Sequence, residues 1–548
     1  MTPLSGRSAI RSACTALAGL ALLAAGAAAQ QTTAAISPGD LQVRLYQLAD
    51  DSLMGREAGA RGDWVAQEMI AAEFRRLGLQ PAGEGGTYFQ TVPLVLRVVD
   101  PAATLSAGGT TFVLWRDFIP VSGARGLAAG PTSKFRDAAV IFGGTLGDTA
   151  HMITPSAGAG RVVVLAAPRD LTGARSPYFW RAAGLTRFPK AAALAIVVLD
   201  IFPAHYLESY RAGAVMAGPP PDAQLVPVAM LVTEQSASVL LRRTVSLARP
   251  GDRGRYATGS PGAGLRPVPF AARNVVAILP GADAALRGEF VSMSAHNDHI
   301  GYSQRPVDHD SLRAANFAKT DAAPQAALDS VRRLRPPRLD SIYNGADDDG
   351  SGTVSLLEIA ESLSATGVRP KRSLLFISHT AEEIGLVGSA WFTDHPTVPR
   401  DSIVAEIDLD MVGRGRPEDV KGGNPGYLEL VGSRRLSKEF GLITDSVAAA
   451  QRPAFVINYE FDAPGHPDND YCRADHFSYA RYGIPSVNMS RGDHPDYHEV
   501  SDEPQYIDYE ALARVARFAA DLALTVADLD HRLVVDHPLP DPNAPCKQ

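Results

Sequence analysis

Val275-Val-Ala-Ile-Leu279, Glu289-Phe-Val-Ser-Met-Ser294, Ser373-Leu-Leu-Phe-Ile-Ser378 and Ile403-Val-Ala-Glu-Ile-Asp-Leu409 decide the fold. Each is a short, mainly apolar run of strand length. Between the second and third, Ser351 to Leu363 places Leu356, Leu357, Ile359 and Leu363 on one helical face. A last helix is expected from Tyr509 to about Val526. Strands alternating with helices predict an α/β domain with a mixed, largely parallel sheet flanked by helices. In such sheets, sites form beyond the carboxyl ends of the strands.

Outward from this core the texture changes. Asp40 to Gln90 reads as helical, with Val65, Met69, Ile70, Phe74 and Leu77 at helical spacing and Gly78 as a stop. From about 118 to 265, short apolar runs alternate with Gly, Pro and Ala. Arg161 to Ala167, Ala195 to Asp200 and Leu225 to Val232 read as buried strands, and Pro250 to Pro269 reads as a linker. This predicts an inserted β-rich domain over 118–265, between an N-terminal part (30–117) and a main part (266–548) of the α/β domain. Residues 302–342 interrupt the main part as an insertion that could serve as a lid, with a helix expected near Ala323 to Leu334.

The chain has 548 residues, 45% hydrophobic and 20% charged, with a net charge of −8. No basic run is present that would suit phosphate, so nucleic acid is not an expected partner. Residues 1–29 carry Arg7 and Arg11, then an apolar stretch, then Ala27-Ala28-Ala29. This is the pattern of a cleavable signal, predicting a periplasmic or extracellular protein with no integral membrane segment after cleavage. Cys472 and Cys546 remain beyond it, and pairing between them is left open because Cys546 sits in a tail expected to be flexible.

Five clusters carry possible chemistry: Ser294-Ala-His-Asn-Asp-His-Ile-Gly301, Asn344-Gly-Ala-Asp-Asp-Asp-Gly-Ser-Gly352, Thr380-Ala-Glu-Glu-Ile-Gly385, Leu409-Asp-Met411 and Asp496-Tyr-His-Glu499. Singly, each has a bland reading. An isolated loop His is usually structural, and Asp347-Asp348-Asp349 could simply cap a helix. Together they would crowd several carboxylates into one cleft. Two like charges at ~4 Å repel by about 4 kcal/mol at an effective dielectric near 20. A mixed His and carboxylate set suits zinc, whereas all-oxygen sets suit calcium or magnesium.

These segments resemble the co-catalytic di-zinc aminopeptidases, a family of bacterial leucyl-type enzymes related to glutamate carboxypeptidase and the transferrin receptor. The runs Gly55-Arg56, Gly78-Leu79-Gln80-Pro81, Tyr88-Phe89-Gln90 and Arg473-Ala-Asp-His-Phe-Ser-Tyr479 share in the likeness. The middle region resembles the protease-associated domain often inserted in the family, with Val226-Pro227-Val228 like its closing strand. The resemblance implies the zinc-exopeptidase fold and two Zn2+ ions per chain. His296 and Asp410 would hold one ion, Glu383 and His498 the other, and Asp348 would bridge them. Glu382 would be the general base and Asp298 would orient His296, with peptides as substrates. It also implies two alternatives: a di-zinc carboxypeptidase, which needs a basic pocket, and a non-catalytic binding protein, which would have broken ligands. Asp475 would support the site, and His299, Tyr471 and His494 lie near the motifs without an assigned role.

Overall fold

The computed structural model describes residues 32–121, 127–129, 134–167, 187–201, 211, 213–218, 224–318, 336–544 and 546–548. The signal-like segment 1–29 and the helix expected near Ala323 to Leu334 lie outside them. The chain forms two compact units. One comprises 1–57, 65–90 and 274–548, and the other comprises 58–64 and 91–273.

The first unit is built on a nine-stranded sheet. Its strands are β1 (Gln80–Pro81), β2 (Phe89–Val92), β3 (Ala272–Leu279), β4 (Phe290–His296), β5 (Ser373–His379), β6 (Ile403–Leu409), β7 (Tyr427–Val431), β8 (Val456–Asn458) and β9 (Ser486–Ser490). They run in the order β1-β3-β5-β4-β6-β9-β7-β8, with β2 also on β3. The four central strands β5, β4, β6 and β9 are parallel. β3 joins β5 and β7 joins β9 antiparallel, so the sheet is mixed with a parallel heart.

Every residue of β4, β5 and β6 is buried, as continuous apolar strands covered on both faces should be. Alternation sorts their side chains between two cores. Leu374 and Phe376 point to one face and Leu375 and Ile377 to the other. The first face is covered by α1 (Pro38–Leu48), α2 (Arg61–Arg76), α3 (Gly352–Ala365), α4 (Lys438–Ala450) and α5 (Tyr509–Ala527). The helix starts are set by side-chain caps. Ser37 accepts from Asp40 N, Ser437 from Phe440 N and Asp508 from Ala511 N. The opposite core takes Phe392 and Tyr479 from the short helices Val387–Asp394 and His476–Ala480.

Within the insertion, Tyr302–Asp308 pairs antiparallel with Leu339–Ile342, and a helix spans His309–Ala318. The C-terminal tail is tied down, contrary to the expectation of a flexible tail, and the pairing left open by the sequence is made. Cys472 and Cys546 form a disulfide, and Gln548 Nε2 donates to Phe461 O at 2.7 Å.

The second unit carries an eight-stranded sheet. The unit extends beyond 118–265: Thr104–Ala107 joins this sheet beside Arg253–Ser260, and Leu94–Val99 pairs with Ala263–Pro267 in a separate three-stranded sheet. The expected linker is therefore corrected: Arg253–Ser260 and Ala263–Pro267 are strands. The expected strand Leu225 to Val232 is split into Gln224–Val226 and Ala229–Val232, with Pro227, which has no N–H to give to a ladder, between them. Among the described residues, no helix is long and apolar enough to cross a membrane.

Candidate metal centre

The carboxyl ends of three neighbouring parallel strands supply the first side chains. His296 is the last residue of β4, Glu382 and Glu383 follow β5, and Asp410 follows β6. Asp348 lies in the turn entering α3, and His498 lies in the loop after β9. Ala381, Met411 and His498 all have positive φ (60°, 59° and 56°). For residues other than glycine this costs roughly 1–3 kcal/mol each, a strain that tends to collect where side chains must be aimed.

The side chains converge as two linked groups. Asp348 Oδ1 lies 3.1 Å from His296 Nε2, while its other oxygen lies 3.1 Å from His498 Nε2. Asp410 Oδ1 is 3.7 Å from His296 Nε2, and Glu383 Oε2 is 2.9 Å from His498 Nε2. Glu382 Oε2 stands 4.0 Å from His296 Nε2. The geometry thus brings together all five residues expected as ligands, with one Asp348 oxygen facing each histidine.

The residues of the centre fit metal binding. His296 Nε2, His498 Nε2, Asp410 Oδ1 and Glu383 Oε1 are buried, and their close neighbours are one another and the other histidines and carboxylates of the cluster. So many buried carboxylates, facing only three imidazoles, are costly unless a cation sits among them. His299, Asp348, Glu383 and His498 have ligand atoms within 4.8 Å of one another, as do His296, Asp349 and Asp410.

Two members of those groups were not expected as ligands. Asp349 is already engaged by the backbone: one oxygen accepts from His296 N (3.0 Å), the other from Gly352 N (2.9 Å) and Met411 N (3.2 Å). It therefore fastens β4, α3 and the end of β6 together. His299 is different, since its Nδ1 is 2.5 Å from Glu383 Oε1 and 3.8 Å from Asp348 Oδ2. Its ring meets that of His498 edge-on at 5.5 Å. It either steadies Glu383 or adds a nitrogen to that side, and its place in the His-Asn-Asp-His run was the only signal for it.

Asp298 does more than orient His296. His296 Nδ1 meets the Asp298 main-chain oxygen at 3.0 Å and its carboxylate at 3.7 Å, and Asp298 Oδ1 also accepts from Glu382 N at 3.1 Å. One residue thereby fixes both the histidine and the backbone of the expected base.

Burial opposes charge on Asp348, but its bonds to His296 and His498 outweigh that and hold its carboxyl well below the usual range. Burial, reinforced by Glu383 and Asp410, pushes Glu382 well upward against the pull of His296. Burial disfavours the charged His498, yet Glu383 and Asp348 raise it to about 11. A dication among these groups would reverse the last two tendencies, since it replaces the missing positive charge.

The outer frame joins Asp502, which the sequence did not mark, to Arg56, His494, Tyr471 and Asp475, which it named without their contacts. Arg56 is fully buried and donates to the carbonyls of Leu48 (3.0 Å), Asn297 (2.9 Å), Asn344 (2.6 Å) and Gly345 (2.9 Å). Asp502 accepts from Asp347 N (2.9 Å) and Asp348 N (3.1 Å). His494 reaches Asp347 at 3.2 Å, and Tyr471 packs edge-on against His476. Asp475 is buried, and that burial, with the like charge of Asp408, pushes its carboxyl well upward.

Residues 274–523 match the model of Peptidase family M28. The chain is 29% identical over 214 residues to Leucine aminopeptidase 1 of Ajellomyces capsulatus, covering 37% of this chain and 52% of that protein. It is 28% identical over 170 residues to Leupeptin-inactivating enzyme 1 of Streptomyces exfoliatus, covering 30% and 34%. The chain thus spans about half or less of these relatives. The solved aminopeptidase from Aneurinibacillus sp. strain AM-1 shares the fold, with a TM-score of 0.51 at 18% identity over 91% of this chain and 96% of that one.

Proposed function

We propose that this chain, whose residues 274–523 belong to peptidase family M28, is an exported zinc-dependent aminopeptidase that removes N-terminal residues from peptides. The observation that carries this reading is the Asp348 carboxylate, which offers one oxygen to the His296 side and the other to the His498 side. His296 and Asp410 would hold one zinc ion and Glu383 and His498 the other, with Asp348 shared. Bound there, zinc lowers the pKa of water towards neutrality and polarises a carbonyl. Glu382 takes the proton of the attacking water, and then gives it to the departing amine. Asp298 keeps Glu382 and His296 in register for this transfer. The signal-like pattern of 1–29 supports export, and the middle unit is read as a protease-associated-like insertion.

The alternative of a carboxypeptidase needs a basic pocket for the substrate carboxylate. Arg473 and Lys421 do line the cleft beside the centre, but Arg473 is paired with Asp470 at 3.1 Å and lies 3.7 Å from Asp493, and acidic residues such as Glu418, Asp419, Glu429, Glu460 and Asp468 far outnumber the two cations. The charge of the cleft therefore favours substrates with a free amine.

The test uses the mature protein on amino-acid nitroanilides and N-blocked peptides, with zinc, after chelation and as Glu382→Ala. Free-amine substrates alone should be cleaved, and the variant should lose about a thousandfold in kcat while keeping its zinc. Cleavage of N-blocked peptides alone would move the assignment to a carboxypeptidase.

A further inference from the structure

A cleft of about 900 Å³ opens from Asp348, Glu382 and Asp410 towards β7 and β9. On these strands the alternating residues that face the cleft are Tyr427, Glu429 and Val431, and Asn488 and Ser490. Glu429 is a buried carboxyl, 6% exposed, and its bonding partner is the neutral hydroxyl of Tyr427, which donates to it. The strongest charges acting on it come from Asp493, Asp470 and Glu460, all negative. Burial first, and then those like charges, push its carboxyl up to about 8, a sign of how short of positive charge this wall is. The cleft's two cations are Arg473, which is held by Asp470 at 3.1 Å, and Lys421, and neither is among the main charges acting on Glu429.

A second observation is independent of these acids. Asn488 is 7% exposed, lines the same cleft, and leaves its amide oxygen buried without a hydrogen-bond partner. An acceptor with no donor, set in one cleft with an uncompensated carboxyl, calls for a ligand that brings both N–H donors and positive charge. A lysine ammonium or arginine guanidinium has both and accepts nothing. An aliphatic side chain would leave the acceptors unpaired and desolvated.

Resting on the aminopeptidase reading, we propose that the Glu429–Asn488 wall is a subsite for a cationic side chain, so that the chain prefers peptides whose N-terminal residue is Lys or Arg. The test compares kcat/KM for Lys, Arg, Leu and Ala nitroanilides in the wild type, Glu429→Gln and Glu460→Gln. The last is an exposed position, which guards against a variant that fails to fold. Lys and Arg should exceed Leu by at least about tenfold in the wild type, and both variants should cut the Lys-to-Leu ratio, Glu429→Gln by about tenfold or more. Leu equal to or above Lys, or an unchanged ratio in folded variants, would overturn the proposal. Calorimetric binding of lysinamide and leucinamide separates this from the function itself. If no nitroanilide is cleaved, the aminopeptidase reading fails. Tighter binding of lysinamide, weakened by Glu429→Gln, would then still support the cationic subsite, and equal binding would end it.

Discussion

At the scale of single residues, the account turns on lone pairs. Asp348 needs both carboxylate oxygens, one for each histidine. Asp348→Asn keeps the shape but replaces one oxygen with an NH2 that cannot ligate. Bound zinc should fall to one ion per chain or fewer, with at least a hundredfold loss of activity, as read by elemental analysis and nitroanilide assay. Arg56 makes a different point. Removing it strands four buried carbonyls, so Arg56→Met should cost about 3 kcal/mol or more in urea unfolding. The five candidate ligands were legible because His, Asp and Glu stand out in glycine-rich turns at strand ends. The frame was not, because Arg56 and Asp502 act on main-chain atoms, and sequence gives no sign of which carbonyl or N–H a distant side chain will meet. The same limit hid Asp349, one of three adjacent aspartates that differ only in where the turn points them.

At the scale of elements, the centre exists because helix α3 starts directly against the end of β6. A Cβ on Gly352 would come within 2.0 Å of Leu409 O, with Asp349 oxygens at 2.5 and 2.6 Å. The nearest atom is main chain, and the Asp349 carboxylate is held by three backbone N–H groups, so neither yields cheaply. Gly352→Ala should therefore push α3 away from β6, parting Asp348 from Asp410. We expect a loss of about 1–3 kcal/mol in stability together with weaker zinc binding, the second measurable by competition with a chelator. The regular elements were the most legible part of the chain. Apolar runs buried on both faces gave β3 to β6 to within three residues at every end. Pro250 to Pro269 misled because Gly and Pro commonly mark loops, yet here they lie in and beside strands whose register is set by partners far away in sequence, at Thr104–Ala107, Phe135–Thr145 and Leu94–Val99.

At the scale of the whole molecule, the chain folds as two units, each with its own sheet, and the C-terminal tail of the first unit is pinned to it by a disulfide. Cys472 and Cys546 are 74 residues apart in sequence. Opening so long a loop by Cys472→Ser with Cys546→Ser should cost about 2–4 kcal/mol, seen as a lower urea midpoint for the double variant. Composition suggested a loose tail because it cannot report that Gln548 and Cys546 dock beside Phe461 and Cys472. What the sequence did convey at this scale was the division into an α/β part and a β-rich part, through the change from helical spacing to short apolar runs. The central claim is a two-ion centre shared through Asp348, and its most direct measurement is the zinc content of the purified chain, taken alongside activity during stepwise chelation. The account predicts two ions per chain, with hydrolysis lost as they are withdrawn and regained on adding zinc. A fully folded, fully active protein holding no more than one ion would contradict it.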